Sequence, residues 1–249
     1  MEKTMYRFFV REDQIGEETI TIYGADVNHI KNVLRMRVGE ELLISASTEK
    51  EYHCKISELS KEEVICEITD IDGESKELPS KIYLFQGLPK SEKMELIIQK
   101  AVELGAFAIV PVEMKRCVVK LEEKKKDTRQ KRWQAIAESA AKQAKRSIIP
   151  EVMPVMTYKQ ALAFAKQLDV ILLPYEEAEN MQMTRDVFSA IKKGQSIGIF
   201  IGPEGGFAPS EVEDAVAAQA KSITLGKRIL RTETAGMTVL SILMYLLEE

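Results

Sequence analysis

From Lys81 onward, short apolar runs alternate with stretches whose apolar residues recur at helical spacing, and that alternation leaves few folds open. The runs Ile82–Phe85, Phe107–Val112, Val170–Leu173, Ile197–Ile201 and Ile223–Leu225 have the length and composition of strands buried on both faces. Helical stretches lie at Ser91–Leu104, halted by Gly105, and at Asp127–Ala144, Tyr158–Leu168, Ser210–Ala220 and Thr232–Leu247. Ser210 and Glu213 have the spacing of a capping box, and Thr232 or its neighbour stands where the last helix needs its N-cap. Strand, helix and strand in succession imply an α/β layer built on a largely parallel sheet.

The first 78 residues follow another period. Alternating runs at Glu18–Tyr23, Glu41–Ser45, Tyr52–Leu59 and Glu63–Thr69, each bounded by turn residues, predict a small, mainly β unit. One helix is expected there, Asp26–Met36, capped by Asp26, with Ile30, Val33 and Leu34 on one face and His29, Lys31, Arg35 and Arg37 on the other. The polar stretch Ile71–Ser80 reads as a linker.

Charge has to be taken by segment. The 249 residues carry 35 Lys and Arg against 39 Asp and Glu, a net charge of −4 that by itself speaks against a nucleic-acid partner. Residues 1–78, however, hold 10 basic and 18 acidic side chains, whereas 79–249 hold 25 and 21. Between Lys115 and Arg146, 12 Lys and Arg face four acids. Such a run is either a solvated helix face or a footprint for phosphate.

Other classes are excluded. Cys54, Cys66 and Cys117 form no CxxC pair and His29 and His53 are the sole histidines, so neither a zinc cluster nor a disulfide framework is expected, as suits a reduced, cytoplasmic chain. The N-terminus lacks the apolar stretch of an export signal, and the longest apolar run, Ala235–Leu247, is shorter than the roughly 20 residues of a membrane span. Neither a metal nor a membrane is therefore expected.

Chemistry concentrates in two strand-to-helix loops. Gly202-Pro203-Glu204-Gly205-Gly206-Phe207 follows the strand Ile197–Ile201, and Leu225-Gly226-Lys227-Arg228-Ile229-Leu230-Arg231-Thr232-Glu233-Thr234-Ala235 leads from the last strand into the last helix. Ligands of α/β sheets sit at the carboxyl ends of the strands, where glycine lets main-chain groups approach closely. Neither GxxxxGK[ST] nor GxGxxG occurs, so the loops are not those of a P-loop or a dinucleotide fold. A bare GxxGG is as well explained by a tight turn.

These two loops, with Tyr6-Arg7-Phe8-Phe9-Val10, with His29-Ile30 ahead of Val33-Leu34-Arg35-Met36, and with Gln99-Lys100-Ala101-Val102-Glu103-Leu104-Gly105, resemble the ribosomal RNA small subunit methyltransferase E family, in register over nearly the whole chain. The resemblance implies a PUA-like β-barrel over 1–72, a linker over 73–80, and a SPOUT-type α/β domain over 81–249 whose end forms a trefoil knot, a topology no periodicity would suggest. It further implies S-adenosylmethionine as cofactor, methylation of N3 of a uridine in 16S rRNA, and a homodimer. Carried onto this sequence, it makes Gly202, Glu204, Gly205, Gly206, Leu225, Gly226, Ile229, Leu230 and Thr234 the cofactor wall, with Leu172 or Leu173 added from fold position. Uridine N3–H is a weak acid, so Arg231 is expected to stabilise the anion and Glu233 to act as base or orienter, unless Glu233 caps the last helix or pairs with Arg228. RNA contacts are expected from Arg7, His29, Arg35 and Arg37 in the β half, and from Lys115, Arg116, Lys124, Lys125, Arg132, Gln143 and Arg146 in the basic stretch. Ala144 and Cys117 depart from the small polar residue and the serine usual in the family. The rival readings are another SPOUT activity, on ribose 2′-O or guanine N1, and a non-enzymatic RNA-binding assembly factor.

Overall fold

A computed structural model of the protein describes residues 5–46, 50–73, 76–90, 93–175 and 180–248. Ser91, the expected first residue of a helix, and residues 74 and 75 of the expected linker lie outside the described residues. The chain divides into two compact units, Met1–Glu77 with Ala141–Ile149, and Leu78–Ala140 with Pro150–Glu249.

The first unit holds β1 (Tyr6–Phe9), β2 (Thr19–Tyr23), a short helix α1 (Ala25–Asn28), β3 (Glu41–Ser45), β4 (Glu51–Leu59) and β5 (Glu63–Asp72). The strands lie in the order β1-β3-β4-β5-β2, antiparallel except for β1 with β3. Period-2 alternation turns Phe8, Ile20, Ile22, Leu42, Ile44, Cys54, Ile56, Val64 and Cys66 into one core with Val27 and Ile30. Because β1 and β2, at opposite ends of the strand order, share that core, the sheet curls around it. Burial pushes the Cys54 and Cys66 thiols up to about 12, so both act as small apolar residues.

The expected helix over Asp26–Met36 forms differently. Gly24, at φ 78°, precedes α1, which passes into a π turn over His29–Val33, closed by the Leu34 N–H donating to the His29 carbonyl at 2.9 Å. One extra residue in that turn rotates the chain beyond it, so Ile30 stays buried while Val33 points to solvent. Arg35, at φ 55°, ends the element in the left-handed region.

The segment Ala141–Ile149 groups with this first unit and is held by buried charge. Glu77 accepts from the Arg146 guanidinium, from the Ser147 N–H at 2.8 Å and from the Ile148 N–H at 3.2 Å. Arg7 pairs with Glu51 and donates to the Ser45 hydroxyl at 3.3 Å and to the Arg146 carbonyl at 3.2 Å.

The second unit contains β6 (Ile82–Gly87), α2 (Lys93–Glu103), β7 (Ala108–Glu113), α3 (Glu123–Gln143), β8 (Glu151–Val152), β9 (Met156–Thr157), α4 (Tyr158–Ala165), β10 (Val170–Pro174), α5 (Met181–Ser189), β11 (Ile197–Ile201), α6 (Pro209–Ala217), β12 (Lys221–Ile223) and α7 (Thr232–Leu247). The last turn of α3 belongs to the first unit. The sheet runs β12-β10-β11-β6-β7-β8, with β9 pairing further along β7, and every pairing is parallel. In its centre β11 is buried throughout, and Phe200 stacks on its register partner Phe85 at 4.4 Å between ring centroids. The chain lays β6, β7 and β8 to one side and then crosses to β10, β11 and β12, so the order reverses between β6 and β11, the position where open parallel sheets take ligands.

Several ends differ from the sequence reading. β12 stops at Ile223, leaving Thr224 and Leu225 in the loop. The box on α6 is made by Glu211, not by Ser210 with Glu213: Pro209 occupies the first helical position, and the buried Glu211 carboxylate accepts the Ala208 N–H at 2.8 Å and the Lys115 N–H at 2.8 Å. Arg231 caps α7 without a side-chain bond, because Thr232 is engaged elsewhere. β1, β8, β9 and α5 had no counterpart in the expected strands and helices. Glu77→Ala is expected to destabilise the protein by about 1–3 kcal/mol by removing the carboxylate that accepts from the Arg146 guanidinium and the Ser147 and Ile148 N–H groups, read as a lowered urea midpoint.

Candidate functional site

The loops after β10, β11 and β12 open onto one cleft of ≈ 1100 Å³. Pro174 and Tyr175 come from the first, Gly202–Phe207 from the second, and Thr224–Arg231 from the third, joined by Lys93 of α2, Met181 of α5, and Thr232 and Ala235 of α7. The β11 loop is a tight turn, with the Gly206 N–H donating to the Pro203 carbonyl at 2.9 Å. A Cβ on Gly202 would lie 3.1 Å from the Gly206 carbonyl carbon, so the turn closes only over a hydrogen. Gly226, at φ 102°, makes the corresponding bend after β12 in a conformation that residues with a side chain rarely adopt.

One side chain joins the central strands to the last helix. The Thr232 hydroxyl donates to the Gly202 carbonyl at 2.6 Å and accepts from the fully buried Gln86 amide of β6 at 2.8 Å. From outside, Arg116 donates to the Gly205 carbonyl at 3.0 Å and the Lys115 ammonium to the Ser210 hydroxyl at 2.6 Å.

Opposed charges flank the cleft. The Lys93 ammonium stands 3.3 Å from Glu204 Oε1 and 3.4 Å from Glu233 Oε2. Burial raises the Glu204 carboxyl, but the Lys90 N–H, which donates at 3.0 Å, its own main chain and Lys93 together outweigh that and hold it below the ordinary carboxylate range.

Of the residues singled out in the sequence, Gly202, Glu204, Gly205, Gly206, Leu225, Gly226, Ile229, Leu230 and Arg231 line the cleft together. Leu172 does not: it lies within β10, fully buried, as does Leu173. Thr234 is exposed on α7 away from the lining, and Glu233 sits beside the cleft, paired with Lys93 rather than Arg228. Sequence reasoning missed Lys93, Tyr175, Met181, Gln86 and the role of Thr232. Of these only Thr232 carries a signal in the sequence, that of an N-cap, whereas its hydroxyl bonds Gly202 and Gln86.

The basic residues separate by burial. His29, Arg35, Arg37 and Gln143 are exposed on the first unit, and Lys115, Arg116, Lys124, Lys125 and Arg132 on the second. Arg132 pairs with Glu95 at 2.7 Å and Lys125 with Glu122 at 3.2 Å. Arg7 and Arg146 are turned inward into the ion pairs of the first unit, so their charges serve the fold. Among the described residues no group of three His, Cys, Asp or Glu side chains is placed to hold a metal, and no helix is long and apolar enough to cross a membrane.

Comparison with known proteins places this geometry. Residues 76–244 match the RNA methyltransferase domain, and residues 22–74 the RNA methyltransferase PUA domain. Ribosomal RNA small subunit methyltransferase E of Bacillus subtilis is 39% identical over 97% of this chain and 96% of its own. The chain belongs to the ribosomal RNA small subunit methyltransferase E family. A family member from Mesomycoplasma hyopneumoniae is 36% identical over 95% of this chain and 98% of its own. The crystal structure of the Neisseria gonorrhoeae family member, bound to S-adenosyl methionine, superposes with a TM-score of 0.82 at 32% identity, covering 98% of both chains. In this chain the Thr232 joint ties the β11 loop to the last helix beside the cleft. Thr232→Val is expected to cost about 1–3 kcal/mol by leaving the Gly202 carbonyl without its donor and the Gln86 amide with the Gly87 carbonyl as its remaining acceptor, measured as a lowered urea midpoint.

Proposed function

We propose that this chain transfers the methyl group of S-adenosylmethionine to N3 of a uridine in 16S rRNA. The observation that carries the reading is the meeting of three strand-end loops in one cleft, two of them bent by glycines, in a chain of this family. The cleft fits the cofactor. Tyr175, Met181, Ile201, Leu225 and Leu230 supply apolar wall, the loops supply main-chain donors and acceptors, and Glu204 supplies negative charge, whereas no phosphate-binding loop is present. When bound, S-adenosylmethionine supplies an electrophilic methyl on its sulfonium.

What the chain does is hold and orient. The glycine loops leave room for close approach and Thr232, itself held by Gln86, fixes the Gly202 carbonyl, which favours an in-line arrangement of N3 and the methyl group. Arg231, exposed on the wall of the cleft, stabilises the uridine anion left when the N3 proton departs. Phosphates of the RNA are met by His29, Arg35, Arg37 and Gln143 on the first unit and by Lys115, Lys124, Lys125 and Arg132 on the other. We further infer a cytoplasmic homodimer, joined at α2 and α7, which pack together and leave Leu96, Tyr245 and Leu246 exposed, and a knot in the crossing that returns the chain from β12 at the sheet edge to α7 over β11.

Mass spectrometry of 16S rRNA nucleosides from cells with and without the gene decides the reaction, the expected result being loss of 3-methyluridine. A changed 2′-O-methyl or 1-methylguanosine signal with 3-methyluridine intact points to another SPOUT activity instead. Gly226→Ala is expected to weaken S-adenosylhomocysteine binding about tenfold in calorimetry, through roughly 1–2 kcal/mol of left-handed strain. Lys124→Gln with Lys125→Gln should reduce the slope of log affinity for RNA against log salt by about two, with cofactor affinity unchanged. An unaltered slope identifies α3 as a solvated face.

A further inference from the structure

Lys93 is the charged side chain at the cleft that neither the glycine loops nor the basic stretch accounts for. Its ammonium links Glu204, in the β11 loop, to Glu233, in the first turn of α7. Lys93 and Glu204 line the cleft. Glu233 Oε2 is shielded from solvent and accepts no hydrogen bond within the protein, although Lys93 lies within ion-pair distance. An acceptor left in that condition costs free energy until a donor reaches it. One ammonium between two carboxylates also leaves a net charge of −1 at this place.

Resting on the methyl-transfer reading, we propose that Lys93, Glu204 and Glu233 form the subsite for the amino-acid end of the cofactor, Lys93 taking the α-carboxylate and Glu233 Oε2 the α-ammonium. A zwitterion finds complementary charges at such a cluster. The remaining negative charge favours the sulfonium of S-adenosylmethionine, which carries one positive charge more than the thioether product S-adenosylhomocysteine. The cluster thereby distinguishes the loaded cofactor from the spent one, and the apolar part of the cleft is left to the nucleoside.

Two probes separate these roles: S-adenosylhomocysteine, and 5′-methylthioadenosine, which keeps the nucleoside and thioether but has no amino-acid end. In titration calorimetry, Lys93→Met and Glu233→Gln are each expected to weaken S-adenosylhomocysteine binding about tenfold and to change 5′-methylthioadenosine binding by less than about twofold. Lys93→Arg, which keeps the charge, is expected to retain the parent ratio of the two affinities. Equal losses for both probes, no loss for either, or a ratio in Lys93→Arg that falls as far as in Lys93→Met overturns the subsite and leaves the methyl-transfer reading standing. A parent chain that binds neither probe overturns that reading, and the subsite with it.

Discussion

The cleft depends on a single hydroxyl. Thr232 lies at the start of a 16-residue helix whose sequence neighbours belong to a loop from the edge of the sheet, yet its Oγ is bonded to the centre, to Gly202 after β11 and to Gln86 of β6. Main-chain ladders cannot make this joint, since the parallel pairings end before the loops begin. A buried side-chain bond of this kind contributes only about 1 kcal/mol net, but leaving its partners unmade costs more, and that asymmetry keeps the loop and the helix in one geometry. Orientation of reacting groups requires walls that do not shift, so the placement of one threonine links stability to catalysis.

Charge is used in two ways, and burial separates them. Arg7, Glu51, Glu77 and Arg146 are withdrawn from solvent and hold a distant segment of chain against the N-terminal sheet. Such pairs specify an arrangement more than they add stability. Arg35, Arg37, Lys124 and Arg132 stay in solvent, where salt screens them. The overall charge of −4 conceals both.

Strands such as Ile197–Ile201 could be read from the sequence because burial on both faces leaves an uninterrupted apolar run, and the glycine loops because only glycine satisfies their bends. The π turn at His29–Val33 could not, since its apolar spacing is that of an ordinary helix and the extra residue appears only in the hydrogen bonds. Arg7 and Arg146 resemble any other cation in a basic segment until Glu51 and Glu77 are seen beside them. Lys93 stands among other lysines near the start of α2, and its partners lie far along the chain in two loops that only the fold brings together. Helix α5 was missed because just Thr184 and Phe188 of its nine residues are buried, too weak a stripe to show.

The grouping of Ala141–Ile149 with the N-terminal sheet makes that unit discontinuous in sequence. During synthesis the strands β1 to β5 leave the ribosome first, as N-terminal domains do, but Glu77 and Arg7 have no Arg146 or Ser147 to meet until residue 149 has followed them. Nearly all of α2, β7 and α3 is translated in the interval. The part of the chain that begins first is therefore completed late, and a fragment ending at residue 77 lacks the strap that would finish it.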